Sequence, residues 1–222
     1  MNGLRLACVV ALAGISAAGF AATPRQPSSA IRQEAHRILR NLRSSEYSHT
    51  TKIDELTGRY AVDCSGLVTA VLRKAAPRHL AAIALPKGRR RPRAVEFYNA
   101  FISAPADKDA KGRWRRIDRL QDVRPGDLIA WRRQVVETGK STGHILIVDE
   151  APIDEGNGVF RITIIDSTVG PHADDTRKPP AGGVGRGTMW FKADAEGRPT
   201  GYRWKAAKGA FRKAPLAIGR AS

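Results

Sequence analysis

The hydrophobic period of this chain changes part-way along, and that change limits its fold more than any other feature. In the first half, apolar side chains recur at helical spacing. Ile31, Ala35, Ile38, Leu39 and Leu42 share one helix face, and Leu67, Val68, Val71, Leu72 and Ala75 form a second stripe that Pro77 closes. A third helix is expected over 94–103, with Val95, Phe97, Tyr98 and Phe101 as its apolar members. After Trp114 the apolar runs become short and strand-like, at 127–131, 144–148 and 159–166, then at 187–192 and 201–205. Glu155-Gly156-Asn157-Gly158 is a hairpin signal between two of them. Helices first and an antiparallel sheet afterwards describe an α+β domain. The connections at 44–60, 86–93, 105–112 and 171–183 read as polar loops, and no internal repeat is present.

With 222 residues, the chain can build one domain with a substantial core. Its charge is less ordinary: 38 Lys and Arg against 21 Asp and Glu leave a net +17. Such a surface favours anionic partners, whether nucleic acid, acidic lipid or a cell-wall polymer. The N-terminus narrows that choice. Arg5 precedes an apolar run over Ala7–Phe20 that ends in small residues, the layout of a signal peptide at 1–22. A linker at 23–30 and a single domain at 31–222 follow. The leader is short for a membrane span, and no other segment is long and apolar enough to be one. The chain is therefore expected in the periplasm or outside the cell, away from nucleic acid. Leader removal takes Cys8 and leaves Cys64 as the sole cysteine. An unpaired thiol in an oxidising compartment points to a reactive group or an intermolecular bridge.

Cys64 sits where a thiol can react. Asp63-Cys64-Ser65-Gly66 opens the second helix, and the N–H groups and macrodipole of a helix N-terminus favour a thiolate. The same N–H groups can receive an oxyanion. The plainer reading is a buried core cysteine. A general base is sought among the histidines. His36, His49, His79 and His172 fall in helix-surface or loop contexts, whereas His144 opens an Ile-rich strand that would hold its ring rigidly. Antiparallel pairing of 159–166 with 144–148 would return Asp166 to His144, as a carboxylate that orients the imidazole. Asp166 also reads as a strand-ending turn residue, and His172 is its rival as third member. Gly143 leaves room for a substrate backbone.

Three blocks resemble the NlpC family of papain-like cell-wall cysteine peptidases: Asp63-Cys64-Ser65-Gly66-Leu67-Val68, Arg124-Pro125-Gly126-Asp127-Leu128-Ile129 and Gly143-His144-Ile145-Leu146-Ile147-Val148. The resemblance covers roughly Tyr47 to Thr168. It implies a papain-like fold, with a nucleophile-bearing helix packed on an antiparallel sheet. It also implies cleavage of amide bonds in peptidoglycan stem peptides, with Cys64 as nucleophile, His144 as base and Asp166 as third member. That third position is commonly histidine in the family, so Asp166 is a departure. Asp63 and Ser65 match positions that help hold a substrate's free amine. Tyr47 resembles a site-lining tyrosine, although it lies farther upstream than usual and could be an ordinary packed aromatic.

The expected function is an exported cysteine hydrolase acting on peptidoglycan or another anionic envelope polymer, without cofactor or metal. No ligand spacing is diagnostic of zinc. Two alternatives stay open: a non-catalytic envelope-binding module of the same fold, and a cysteine amidase or acyltransferase with another substrate. The basic run Lys87–Arg93 reads as a solvated loop, or as an attraction for an anionic surface. His172-Ala173-Asp174-Asp175-Thr176-Arg177 could shape a pocket, hold a metal or lie in solvent.

Overall fold

A computed structural model describes residues 26–106, 112–136, 141–178, 181–206 and 208–222. The expected signal peptide at 1–22 lies outside the described residues. Helices α1 (Pro27–Asn41), α2 (Cys64–Ala75), α3 (Pro77–Ala81) and α4 (Ala94–Ile102) occupy the first half. Interleaved with them is a small three-stranded sheet of β1 (Ser44–Tyr47), β2 (Lys52–Asp54) and β3 (Arg59–Val62), in the order β1-β3-β2. The main sheet contains β4 (Trp114–Ile117), β5 (Leu128–Arg132), β6 (Gly143–Val148), β7 (Ile153–Asp154), β8 (Val159–Thr168), β9 (Gly183–Ala193), β10 (Pro199–Arg203), β11 (Arg212–Lys213) and β12 (Leu216–Ala221). Its order is β11-β10-β9-β8-β6-β5-β12-β4, with β7 paired to β8, and every pairing in it is antiparallel. The chain is thus a mixed α+β domain. No helix among the described residues is long and apolar enough to cross a membrane.

Both faces of the sheet are buried. Ile31, Ile38, Leu67, Val71, Leu72, Phe97 and Phe101 from the helices meet Ile145, Ile147 and Ile165 on one face. The alternate residues Leu146, Val148, Ile162 and Ile164 pack with Trp131, Met189 and Phe191 on the other. This two-sided burial explains why the strands read as continuous apolar runs rather than as an alternation.

Several boundaries differ from those expected. The first helix starts at Pro27, inside the stretch read as linker, because proline suits the first helical turn. Within its first turn the Ser28 hydroxyl donates to the Ala221 carbonyl at 2.7 Å and ties α1 to β12. The polar connection at 44–60 contains three short strands, half exposed and so without an apolar signature. The C-terminal strand β12 was hidden by Gly219 and Arg220. A side chain at Gly219 would strike the Phe101 ring, and the Arg220 guanidinium is neutralised by a bidentate pair to Asp127 at 2.7 Å on each arm. The Arg124-Pro125-Gly126-Asp127 block is thereby structural. Gly126 has a φ of +90°, and a Cβ there would lie 1.9 Å from the Ser28 carbonyl oxygen.

Candidate active site

Cys64 is the first residue of α2, and Asp63 is its N-cap. The Asp63 carboxylate accepts the Gly66 N–H at 2.6 Å and the Ser65 hydroxyl at 3.0 Å, which fixes the first turn. Two long-range links set where this turn stands. Tyr47 and Val62 are opposite one another in the parallel β1–β3 pair. The Ser167 hydroxyl, near the end of β8, donates to the Val62 carbonyl at 2.7 Å. The same bond carries the cysteine turn to the place where β8 passes β6.

His144 and Asp166 meet there. His144 Nε2 lies 2.7 Å from Asp166 Oδ2, so the N–H at that nitrogen donates to the carboxylate. The other ring nitrogen is not engaged by Asp166, and Cys64 lies near enough for its sulfur to act electrostatically on the ring. Burial disfavours a charged imidazole at this position. A negative Cys64 sulfur and the hydrogen bond to Asp166 outweigh it, raising the His144 pKa to about 10. Trp131 and Trp204 pack on His144 with ring centroids 4.9 and 5.0 Å away, restricting its rotation.

Gly143 has a reason other than substrate access. Its φ is +143°, and a Cβ would sit 1.9 Å from the Trp131 carbonyl oxygen on the neighbouring strand. The close β5–β6 approach therefore requires glycine just before the histidine.

Asp166 is completely buried and has three cationic or ring N–H partners. Besides His144, His172 Nε2 lies 2.9 Å from Oδ2, and Arg177 Nη2 donates to Oδ1 at 2.9 Å. Burial alone would raise its pKa, but the charge of His172 and the hydrogen bonds from both histidines hold it far below the usual carboxylate range. Asp166 and His172 are thus not rivals for one position. The carboxylate touches His144, and His172 stands behind it, its Nδ1 3.1 Å from the Trp204 carbonyl and its ring packed at a tilt against Trp204.

The segment 171–178 is a correction to the solvated-loop reading. His172 and Arg177 are buried, and Arg177 also pairs with Asp175 at 2.7 Å and donates to the Gly183 carbonyl. No cluster of His, Cys, Asp and Glu suited to a metal occurs among the described residues. His79, read as a surface or loop residue, is buried edge-on against Trp114.

Tyr47, Asp63, Cys64 and Ser65 line one cleft of about 410 Å³. The distance of Tyr47 in sequence is taken up by the β2–β3 hairpin, and the parallel pairing restores its place beside the cysteine turn. Burial, then the neighbouring Cys64 and Asp63, pushes the Tyr47 hydroxyl pKa upward. Asp63 is held below its usual range: burial opposes this, but the Arg91 ion pair prevails. The basic loop is not merely solvated. Arg91 reaches Asp63 Oδ2 at 2.8 Å and Ser65 Oγ at 2.6 Å. Arg93 joins Glu96 in capping α4.

No family model matches the chain, and no solved structure matches it. The chain is similar to uncharacterized protein R653 of Acanthamoeba polyphaga mimivirus, with 29% identity over 164 residues, an alignment covering 66% of this chain and 69% of the viral protein.

Proposed function

We propose that the chain is a papain-like cysteine hydrolase of the NlpC type, exported to the cell envelope, that cleaves an amide bond in peptidoglycan stem peptides. The observation that carries this reading is the arrangement Cys64–His144–Asp166: a sulfur at a helix N-terminus, an imidazole near enough to feel its charge, and a buried carboxylate hydrogen-bonded to that imidazole. In this reading the Cys64 thiolate attacks the scissile carbonyl. His144, as imidazolium, gives its proton to the leaving amine, and an acyl-enzyme remains. Neutral His144 then takes a proton from water, which attacks the acyl carbon and releases the acid. The backbone N–H groups of Cys64 and Ser65, at the start of α2, are the natural hydrogen-bond donors to the oxyanion. Asp166 stays ionised throughout and keeps the ring oriented.

The test is turnover of defined muropeptides, read by mass spectrometry. Cleavage of a stem-peptide amide is expected, and Cys64→Ala should abolish it with an unchanged circular dichroism spectrum. Full activity in that variant refutes a cysteine mechanism. Salt-sensitive binding to envelope polymer without cleavage by the unaltered chain would favour the binding-module alternative.

A further inference from the structure

Among the described residues, the cleft at Cys64 is lined by four arginines, Arg89, Arg90, Arg91 and Arg93, and by one acidic residue, Asp63. That carboxylate is already occupied. Arg91 Nη2 donates to it at 2.8 Å, the Ser65 hydroxyl and the Gly66 N–H take its other oxygen, and His49 Nδ1 stands 3.4 Å away. The Ser65 hydroxyl in turn accepts from Arg91 Nη1 at 2.6 Å. A substrate amine entering here would have to displace a forked guanidinium from a half-buried pair, and would then face the remaining arginines. Arg89 and Arg90 are exposed on the cleft rim and make no ion pair among the described residues.

We propose that this cleft selects a substrate carrying a carboxylate beside the bond presented to Cys64, and that Arg91, by covering Asp63, is the residue that excludes a free amine. The inference rests on the hydrolase reading for the meaning of the cleft, and it reverses the amine preference that the family resemblance implied for Asp63 and Ser65. Arg91 acts by occupying Asp63 and adding positive charge. Arg89 and Arg90 supply the field that draws the anion in.

The test uses two methanethiosulfonates of similar size, one carrying a sulfonate and the other a trimethylammonium group. Each forms a mixed disulfide with the thiolate and releases methanesulfinate. The full chain is treated with each reagent, and the rate at Cys64 is followed by peptide mass spectrometry and normalised to free cysteine. The anionic reagent should be favoured in the unaltered chain. In Arg91→Ala the anion-to-cation ratio should fall about fourfold, because a unit charge roughly 8 Å away, screened as in water, shifts each reagent about twofold in opposite directions. Arg91→Lys should retain most of the ratio, and the exposed double variant Arg89→Ala/Arg90→Ala should lower it without touching Asp63. A ratio unchanged in both the Arg91→Ala and double variants overturns the proposal, since His144 alone would then account for the selectivity. Faster cleavage of a free-amine stem peptide than of its N-succinyl counterpart also overturns it, while leaving the hydrolase reading standing. Charge selectivity without turnover of any peptide supports the proposal about the cleft and refutes the hydrolase reading instead.

Discussion

Replacing Asp166 with Asn tests the site's organisation most severely. The carboxylate is wholly buried and accepts from His144, His172 and Arg177 at 2.7, 2.9 and 2.9 Å. An amide of the same shape carries no charge, and one of its ends is an NH2 that cannot accept. Whichever way it is turned, an N–H of a histidine or of Arg177 faces another donor. Removing the anion from such a buried cluster costs about 3–5 kcal/mol. For a chain of this size, about 2–4 °C of melting temperature is lost per kcal/mol, so a fall of about 6–20 °C is expected. The pH dependence adds a second signature. Because His144 is raised to about 10 in the folded chain, its contribution is complete below its unfolded value of about 6.5 and is lost as pH climbs through 10. Asp166 is depressed, so its contribution is present above its unfolded value of about 3.9 and is lost as pH falls below it. Asp166→Asn should flatten both slopes. If the enzyme reading holds, kcat should also drop by about 10²–10⁴-fold. Thermal unfolding followed by circular dichroism between acid and alkaline pH supplies the assay. A variant that melts within about 2 °C of the parent at neutral pH, with the same pH profile, refutes the buried-cluster argument.

Other expectations follow from single contacts. Cys64→Ala should lower the His144 pKa by about one unit or more in an NMR titration, since the sulfur's charge is the leading influence that raises it; an unmoved titration would mean that sulfur and ring do not interact. Gly143→Ala should cost about 3 kcal/mol or more in denaturant unfolding, because the new methyl group meets the Trp131 carbonyl oxygen. Arg220→Met should lose about 3–5 kcal/mol by stranding Asp127, whereas the double change Arg220→Met/Asp127→Leu should recover much of it. Recovery of nothing would show that packing, not the stranded charge, set the cost.

The elements were legible where one physical signal dominated. The α2 stripe and the Ile-rich β6 and β8 could be read because each buries a continuous apolar face. Asp166 could be placed near His144 because antiparallel pairing returns the end of one strand to the start of the other; Ile147 stands opposite Ile165 in that pair. What escaped depends on contacts distant in sequence. Arg220 reads as a polar terminus until Asp127 neutralises it, and His172 and Arg177 read as a polar loop until Asp166 gathers them. Arg91 belongs to a run of similar basic residues, and no local pattern distinguishes the one that reaches Asp63.

These distant contacts have a common consequence for the site. The cysteine turn is held by Ser167 on the β8 side and by Arg91 on the basic-loop side, while β8 itself is anchored through Asp166 to Arg177. The sulfur and the imidazole therefore belong to different units, a helix turn and a sheet, whose spacing depends on one neutral hydrogen bond and two ion-paired clusters. A neutral buried hydrogen bond contributes only about 1 kcal/mol, whereas each charged cluster is several times more costly to disrupt. Ser167→Ala is then expected to spare global stability and yet loosen the fit of sulfur to ring. Its effect should appear as slower alkylation of Cys64, beyond what the small change in melting temperature would suggest. If alkylation is unchanged in Ser167→Ala, the helix turn is positioned by the packing of α2 on β6 and β8 alone, and the Ser167–Val62 link is incidental to the chemistry.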